Sequence, residues 1–162
     1  MKQIIAPALL MFALSGCGLQ PLYSGGSKGA VASTLGSVSV EPIQGKNGWL
    51  MRNALNDRLG AHQGDAAQFR LVVALDDQIE GFGVRADDTV TRERRTLRAR
   101  YQLIAIATGE TVLDATAGSD AGIDVVSSEY ATIAGENSAL ENLTQKVADQ
   151  IVTRLSLYAR GE

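Results

Sequence analysis

The chain has 162 residues, 45% apolar and 20% charged, with 15 Lys and Arg against 18 Asp and Glu. That balance excludes a membrane-spanning helical bundle, a disordered chain and a polycationic nucleic-acid binder, and the length suits one compact domain burying roughly 70% of its unfolded surface. With a single cysteine, Cys17, and a single histidine, His62, neither an intramolecular disulfide nor a Cys/His metal cluster can be assembled, so no metal or other cofactor is expected.

Lys2 precedes an apolar run from Ile4 to Leu14, broken only by Pro7, and Ser15, Gly16 and Cys17 follow. A positive start, a short apolar stretch and small residues predict a secretory signal peptide over residues 1–16. At about 1.5 Å per residue the run covers roughly half of a hydrocarbon core about 30 Å thick, too little for a permanent span. Leu14, Ser15, Gly16 and Cys17 resemble the bacterial lipobox, which implies cleavage between Gly16 and Cys17 and a diacylglyceryl thioether and acylated amine on Cys17; a free thiol behind an ordinary cleavage site is the alternative. Several palmitate-type chains, each stabilised by about 0.8 kcal/mol per buried CH₂, make a durable anchor. Gly18 rather than Asp after the cysteine implies, by the same resemblance, the outer rather than the inner membrane. The remaining 146 residues carry 14 basic and 18 acidic side chains, so any anion binding must come from a local cluster.

Residues 17–35 read as a lipidated N-terminus and flexible tether, since Ser24 to Gly36 is mostly Ser, Gly and Ala and has a random-coil reach of roughly 20 Å. Residues 36–162 form the single domain. Val38 and Val40 alternate with Ser37, Ser39 and Glu41 before Pro42, a short strand. After a cap at Asn47 or Gly48, Met51, Leu55 and Leu59 repeat at helical spacing and Gly60 stops the helix. Phe69, Leu71, Val73 and Leu75 alternate with Arg70, Val72, Ala74 and Asp76 as a second strand. Thr89 to Ile106 and Thr111 to Ala117 follow, joined by a Thr108-Gly109 turn. Leu140, Leu143, Val147, Ile151, Leu155 and Tyr158 then form the stripe of a final helix with a capping box at Ser138 and Glu141, or with a start as early as Ala131 and a weak point at Gly135. Strand, helix, three strands and helix predict an α+β two-layer sandwich: about four strands in a mixed sheet, two helices on one face, and the first two strands parallel.

Gly81, Gly83 and Ala86 have the spacing of a dinucleotide-binding turn but no helix follows, so they read as a mobile connection between strands. Asp76-Asp77 and Asp87-Asp88 read as solvated loop ends, because neighbours on a strand point to opposite faces. His62 reads as a surface residue without a nucleophile motif. Trp49 and Tyr130 read as core or interface aromatics, and the Asn142-Leu143-Thr144 sequon, inside a helix, carries no meaning. One cluster stands out. Five of the eleven arginines lie between residues 92 and 100, and on a strand Arg92, Arg94, Arg98 and Arg100 share one face with Thr96, while Leu97, Ala99, Tyr101 and Leu103 share the other. Guanidinium forks bind phosphates bidentately; a charge-protected edge strand and pairing with the abundant acids are the competing readings.

The run Cys17-Gly18-Leu19-Gln20-Pro21-Leu22-Tyr23 resembles the mature N-terminus of the lipopolysaccharide-assembly lipoprotein family LptE, and Tyr130-Ala131-Thr132-Ile133-Ala134, before the final helix, is similar to a second family segment. The resemblance implies a non-enzymatic outer-membrane lipoprotein on the periplasmic side that plugs the LptD β-barrel, supports its assembly and contacts lipopolysaccharide, without nucleic acid. It does not name contact residues here; Arg92, Arg94, Arg98 and Arg100 are candidates for lipopolysaccharide phosphate from their own pattern. A scaffold for another envelope barrel is the alternative, and a tethered hydrolase would need a nucleophile and base.

Overall fold

Alternating apolar and polar residues in the middle of the chain build a long antiparallel hairpin, and the rest of the fold is laid against it. The computed structural model describes residues 29–60, 67–84 and 90–161. In chain order the elements are helix α1 (Ala30–Gly36), strand β1 (Val38–Val40), helix α2 (Gly45–Leu59), strands β2 (Phe69–Val84), β3 (Val90–Ala105) and β4 (Thr111–Asp124), and helix α3 (Glu129–Ala159). The sheet order is β1-β2-β3-β4, with β1 parallel to β2 and the other neighbours antiparallel. This is the α+β mixed sheet expected from the pattern, with α2 serving as the crossover that makes the first pair parallel.

Odd-numbered residues of β2 and β3 face the helices. Leu71, Leu97, Ala99, Tyr101 and Leu103 are buried there, together with Met51 and Leu55 of α2 and Leu143, Val147, Ile151 and Leu155 of α3. The helical stripes of the sequence thus meet the apolar face of the sheet, and the core lies between two layers. Gly60 closes α2 with φ +62°, and Gly109, at φ +71°, turns β3 into β4; both conformations favour glycine.

The structure changes several expectations, and the strand expected over Thr111 to Ala117 also continues to Asp124. The stretch read as flexible chain ends in α1, whose Val31 and Leu35 are 6% and 3% exposed within the same core; the small residues around them hid two apolar side chains one helical turn apart. The second strand runs to Val84 rather than stopping near Asp76, because β2 keeps pairing with β3 as far as Val84 opposite Val90. Gly81 and Gly83 therefore belong to β2 and not to a loose connection, while Ala86, Asp87 and Asp88 lie outside the described residues. The last helix begins at Glu129, capped by Ser128, whose Oγ accepts from Ala131 N at 3.4 Å. Ser138 lies inside the helix and donates to Ala134 O at 2.9 Å, so it is no cap, and the Tyr130 to Ala134 segment is part of the helix. Tyr130 and Trp49 are 84% and 63% exposed, which removes them from the core.

Candidate functional site: the open face of the sheet

All the described helices pack on one side, so among the described residues the even-numbered side chains of the central strands are left uncovered by a helix. The pairing register places Arg92 between Phe82 and Asp124, Arg94 between Glu80 and Gly122, Arg98 between Asp76 and Gly118, and Arg100 between Ala74 and Thr116. The four arginines do share one face, as the period of two requires. The edge-strand reading is overturned: β3 lies inside the sheet, flanked on both sides.

The ion-pair reading holds for three of the four. Arg92 Nε is 3.1 Å from Asp124 Oδ1, Arg98 Nη2 is 3.3 Å from Asp120 Oδ1, and Arg100 grips Asp114 through Nε at 3.2 Å and Nη2 at 3.0 Å. These partners all come from β4 and form a ladder with β3: Asp124 lies directly opposite Arg92, while Asp120 and Asp114 reach Arg98 and Arg100 diagonally. Arg94 differs: its guanidinium lies 5.3 Å from the Phe82 ring centre, a cation-π contact, and no carboxylate of the described residues pairs with it. Across β2, β3 and β4 this face carries Arg70, Arg92, Arg94, Arg98 and Arg100 against Asp76, Glu80, Asp114, Asp120 and Asp124. The charges interleave, so the face is a lattice of alternating sign and not the uniformly positive strip that β3 alone suggests.

Two local details hold the ladder in place. Arg98 crosses directly over Gly118 to bond Ser119 O at 3.2 Å, and a Cβ on residue 118 would run into its Cδ. Gly118→Ala is expected to displace Arg98, lengthen its contact with Asp120 and cost about 1 kcal/mol; a denaturant midpoint equal to that of the parent chain would show that the glycine is not needed there. Asp114 is held below the ordinary carboxylate range first by the hydrogen bond from Arg100 and then by Gln102 Nε2 at 2.8 Å, and Arg100 is held above its usual value by the same contact. A depressed folded pKa means that this pair supports the fold above the unfolded carboxylate pKa and ceases to do so as pH falls through the folded value. An NMR titration is therefore expected to find Asp114 protonating later than an ordinary Asp on acidification, with Arg100→Ala moving it back.

The fifth arginine faces the helices and was not singled out by sequence. Arg95 pairs bidentately with Asp77, Nε to Oδ1 at 2.8 Å and Nη2 to Oδ2 at 2.6 Å, with side-chain exposures of only 12% and 11%. Its Nη1 donates to Glu136 O of α3 at 2.8 Å, and Asn47 of α2 reaches Asp77 at 3.4 Å. The hydrogen bond that Arg95 donates to Asp77, opposed by partial burial, holds the guanidinium more firmly protonated than usual. Asp77 is thus no loop end: with Arg95 it ties α2 and α3 to the hairpin, while Asp76 on the other face accepts from Gln78 at 3.1 Å. The available signal was parity, since Arg95 shares a face with Leu97 and Tyr101 and needs an acid opposite it.

Cys17, Gly16 and His62 lie outside the described residues, as does the predicted cleavage site. Among the described residues no group of three or more His, Cys, Asp and Glu converges as a metal would need, and no helix is long and apolar enough to cross a membrane.

Comparison with known families decides what this fold is. A model of lipopolysaccharide-assembly LptE matches residues 35–155, from the end of α1 almost to the end of α3. The chain belongs to the LptE family. Among solved structures, a candidate lipoprotein from Caulobacter crescentus is 26% identical with a TM-score of 0.69, covering 83% of this chain and 100% of its own. Rare lipoprotein B from Shewanella oneidensis, 11% identical, has a TM-score of 0.60 over 76% of this chain and 95% of that one. A minor lipoprotein from Acinetobacter baumannii, 14% identical, has a TM-score of 0.59 over 75% and 90%. The last two share the fold. No curated protein sequence matches the chain. Within the LptE fold, the face without described helices is a broad polar surface.

Proposed function

We propose that this LptE-family protein is a non-enzymatic plug of the LptD β-barrel, anchored in the outer membrane through lipid on Cys17 and facing the periplasm, where it supports barrel assembly and lipopolysaccharide transport to the cell surface. Membership of the lipopolysaccharide-assembly family carries this reading. The physical support is the open sheet face. A barrel lumen is polar, and a flat lattice of paired charges can exchange hydrogen bonds with such a wall without first exposing apolar surface. Filling a lumen requires shape and polarity rather than a reactive group, which agrees with a fold whose buried groups are almost all apolar.

Arg92, Arg94, Arg98 and Arg100 are the proposed contacts for lipopolysaccharide phosphates. The ladder ranks them. A phosphate approaching Arg92, Arg98 or Arg100 competes with an aspartate already in place, whereas Arg94 is paired with no carboxylate among the described residues.

The test of the main reading is capture of the intact protein from solubilised outer membranes. LptD is expected to come with it in a stable complex, and depletion is expected to leave LptD misassembled and lipopolysaccharide missing from the surface. Normal LptD maturation in depleted cells would reject the reading, and a different barrel in the captured complex would replace it with a scaffold for that barrel. Mass spectrometry is expected to find a chain beginning at Cys17 with acyl groups; an unmodified thiol there would remove the anchor.

A further inference from the structure

β4 ends the sheet, so one of its edges has no neighbouring strand among the described residues. The side-chain amide of Gln150, on α3, reveals which backbone groups point outward from it: Nε2 donates to Gly118 O at 3.3 Å, and Oε1 accepts from Gly118 N at 3.1 Å. This is the pair of bonds that an added strand would make, so the edge is capped at Gly118. By the two-residue repeat, Asp120, Gly122 and Asp124 turn their N–H and C=O groups the same way, and no described residue bonds them there. Beside these three residues a groove of about 580 Å³ runs between β4 and α3, lined by Ala121, Ile123, Gly135, Ser138, Asn142 and Lys146.

We propose that Asp120–Asp124 is a strand-addition site that receives an extended segment of a partner protein as the fifth strand of the sheet. Backbone bonds to Asp120, Gly122 and Asp124 hold such a segment, and the groove reads its alternate side chains. The same register sets its chemistry. Residues opposite Asp120 and Asp124 project onto the open face beside two carboxylates, 56% and 77% exposed. The Oδ1 atoms of these carboxylates already accept from Arg98 and Arg92, but the Oδ2 atoms are bonded by no described residue, and basic residues there supply a second donor to each. Residues opposite Ala121 and Ile123 face the groove beside α3, whose floor is the Ile123 side chain packed over Gly135, so small apolar side chains suit them. A second copy of this chain is the wrong occupant, because joining two such edges antiparallel about Gly122 sets Asp120 against the other copy's Asp124. The site stands on edge geometry and charge, independently of the identity of the barrel.

The probe is a blocked heptapeptide with lysine at its second and sixth positions and valine at its third and fifth, added to the isotope-labelled full chain in detergent micelles. Amide hydrogen exchange at Asp120, Gly122 and Asp124 is expected to slow at least ten-fold at saturation, and a peptide with glutamate in place of lysine is expected to have no such effect. Gly122→Pro removes one outward donor without touching a bond to β3; it is expected to keep the circular dichroism spectrum and abolish the slowing. If that variant does not fold, Asp120→Asn with Asp124→Asn serves instead and is expected to weaken peptide binding about five-fold and to flatten its salt dependence. No slowing at about 5 mM peptide, equal slowing by the glutamate peptide, or slowing confined to the β2 edge at Val73 to Ile79 would each overturn the proposal, as would sedimentation showing that the chain pairs with itself through β4.

Discussion

Arg95→Ala is expected to lower the stability of the fold by about 3 kcal/mol, the largest loss from any single charge among the described residues. The cost comes from what stays behind: Asp77, 11% exposed, keeps only the 3.4 Å contact from Asn47, and a nearly buried carboxylate without its cation must be protonated or reach for water. For a chain of this length that corresponds to a fall of about 6–12 °C in Tm. The effect also has a location, since Arg95 Nη1 bonds Glu136 O and the first two turns of α3 bury little, with Tyr130 and Ile133 84% and 47% exposed. Amide exchange over residues 129–136 is therefore expected to accelerate more than exchange near Leu143. Replacing both partners, Arg95→Met with Asp77→Leu, is expected to restore most of the loss, because no charge is stranded. A double variant as unstable as the sum of the two single changes would show that the pair does not act as a unit.

Arg94→Gln is expected to weaken lipopolysaccharide binding about ten-fold at low ionic strength, while Arg98→Gln and Arg100→Gln each change it less than three-fold. A charge-assisted hydrogen bond from an available guanidinium contributes about 1.5–3 kcal/mol. Arg98 and Arg100 give up contacts with Asp120 and Asp114 before contributing theirs. Neutralising Arg92, Arg94, Arg98 and Arg100 together is expected to weaken binding further and to reduce its dependence on salt. Unchanged binding of the fourfold variant at low ionic strength would leave the ladder as a purely structural feature of the sheet.

The legibility of this fold followed the range of the interactions involved. Val38 and Val40, the repeat of Met51, Leu55 and Leu59, the alternation from Phe69 to Leu75 and the stripe from Leu140 to Tyr158 are local patterns, and each became the expected element. Where local composition misled, a distant partner intervened. Asp76, Asp77, Gly81 and Gly83 look like loop, yet each of their segments is held by the ladder to β3. Ala30 to Gly36 looks like tether, yet Val31 and Leu35 find the core.

The candidate site divides in the same way. That Arg92, Arg94, Arg98 and Arg100 share a face, and that the chain resembles LptE-family lipoproteins around Cys17 and Tyr130, was determined by sequence alone, since side-chain parity and short motifs need no knowledge of neighbours. Only the tertiary structure decided that β3 is a central strand, that Asp114, Asp120 and Asp124 engage three of those arginines, that Arg94 stacks on Phe82, and that Arg95 and Asp77 join the helices to the sheet. Strand order and register bring together residues 12 to 32 positions apart in these pairs, and a charge acquires its meaning from whichever residue the register sets beside it.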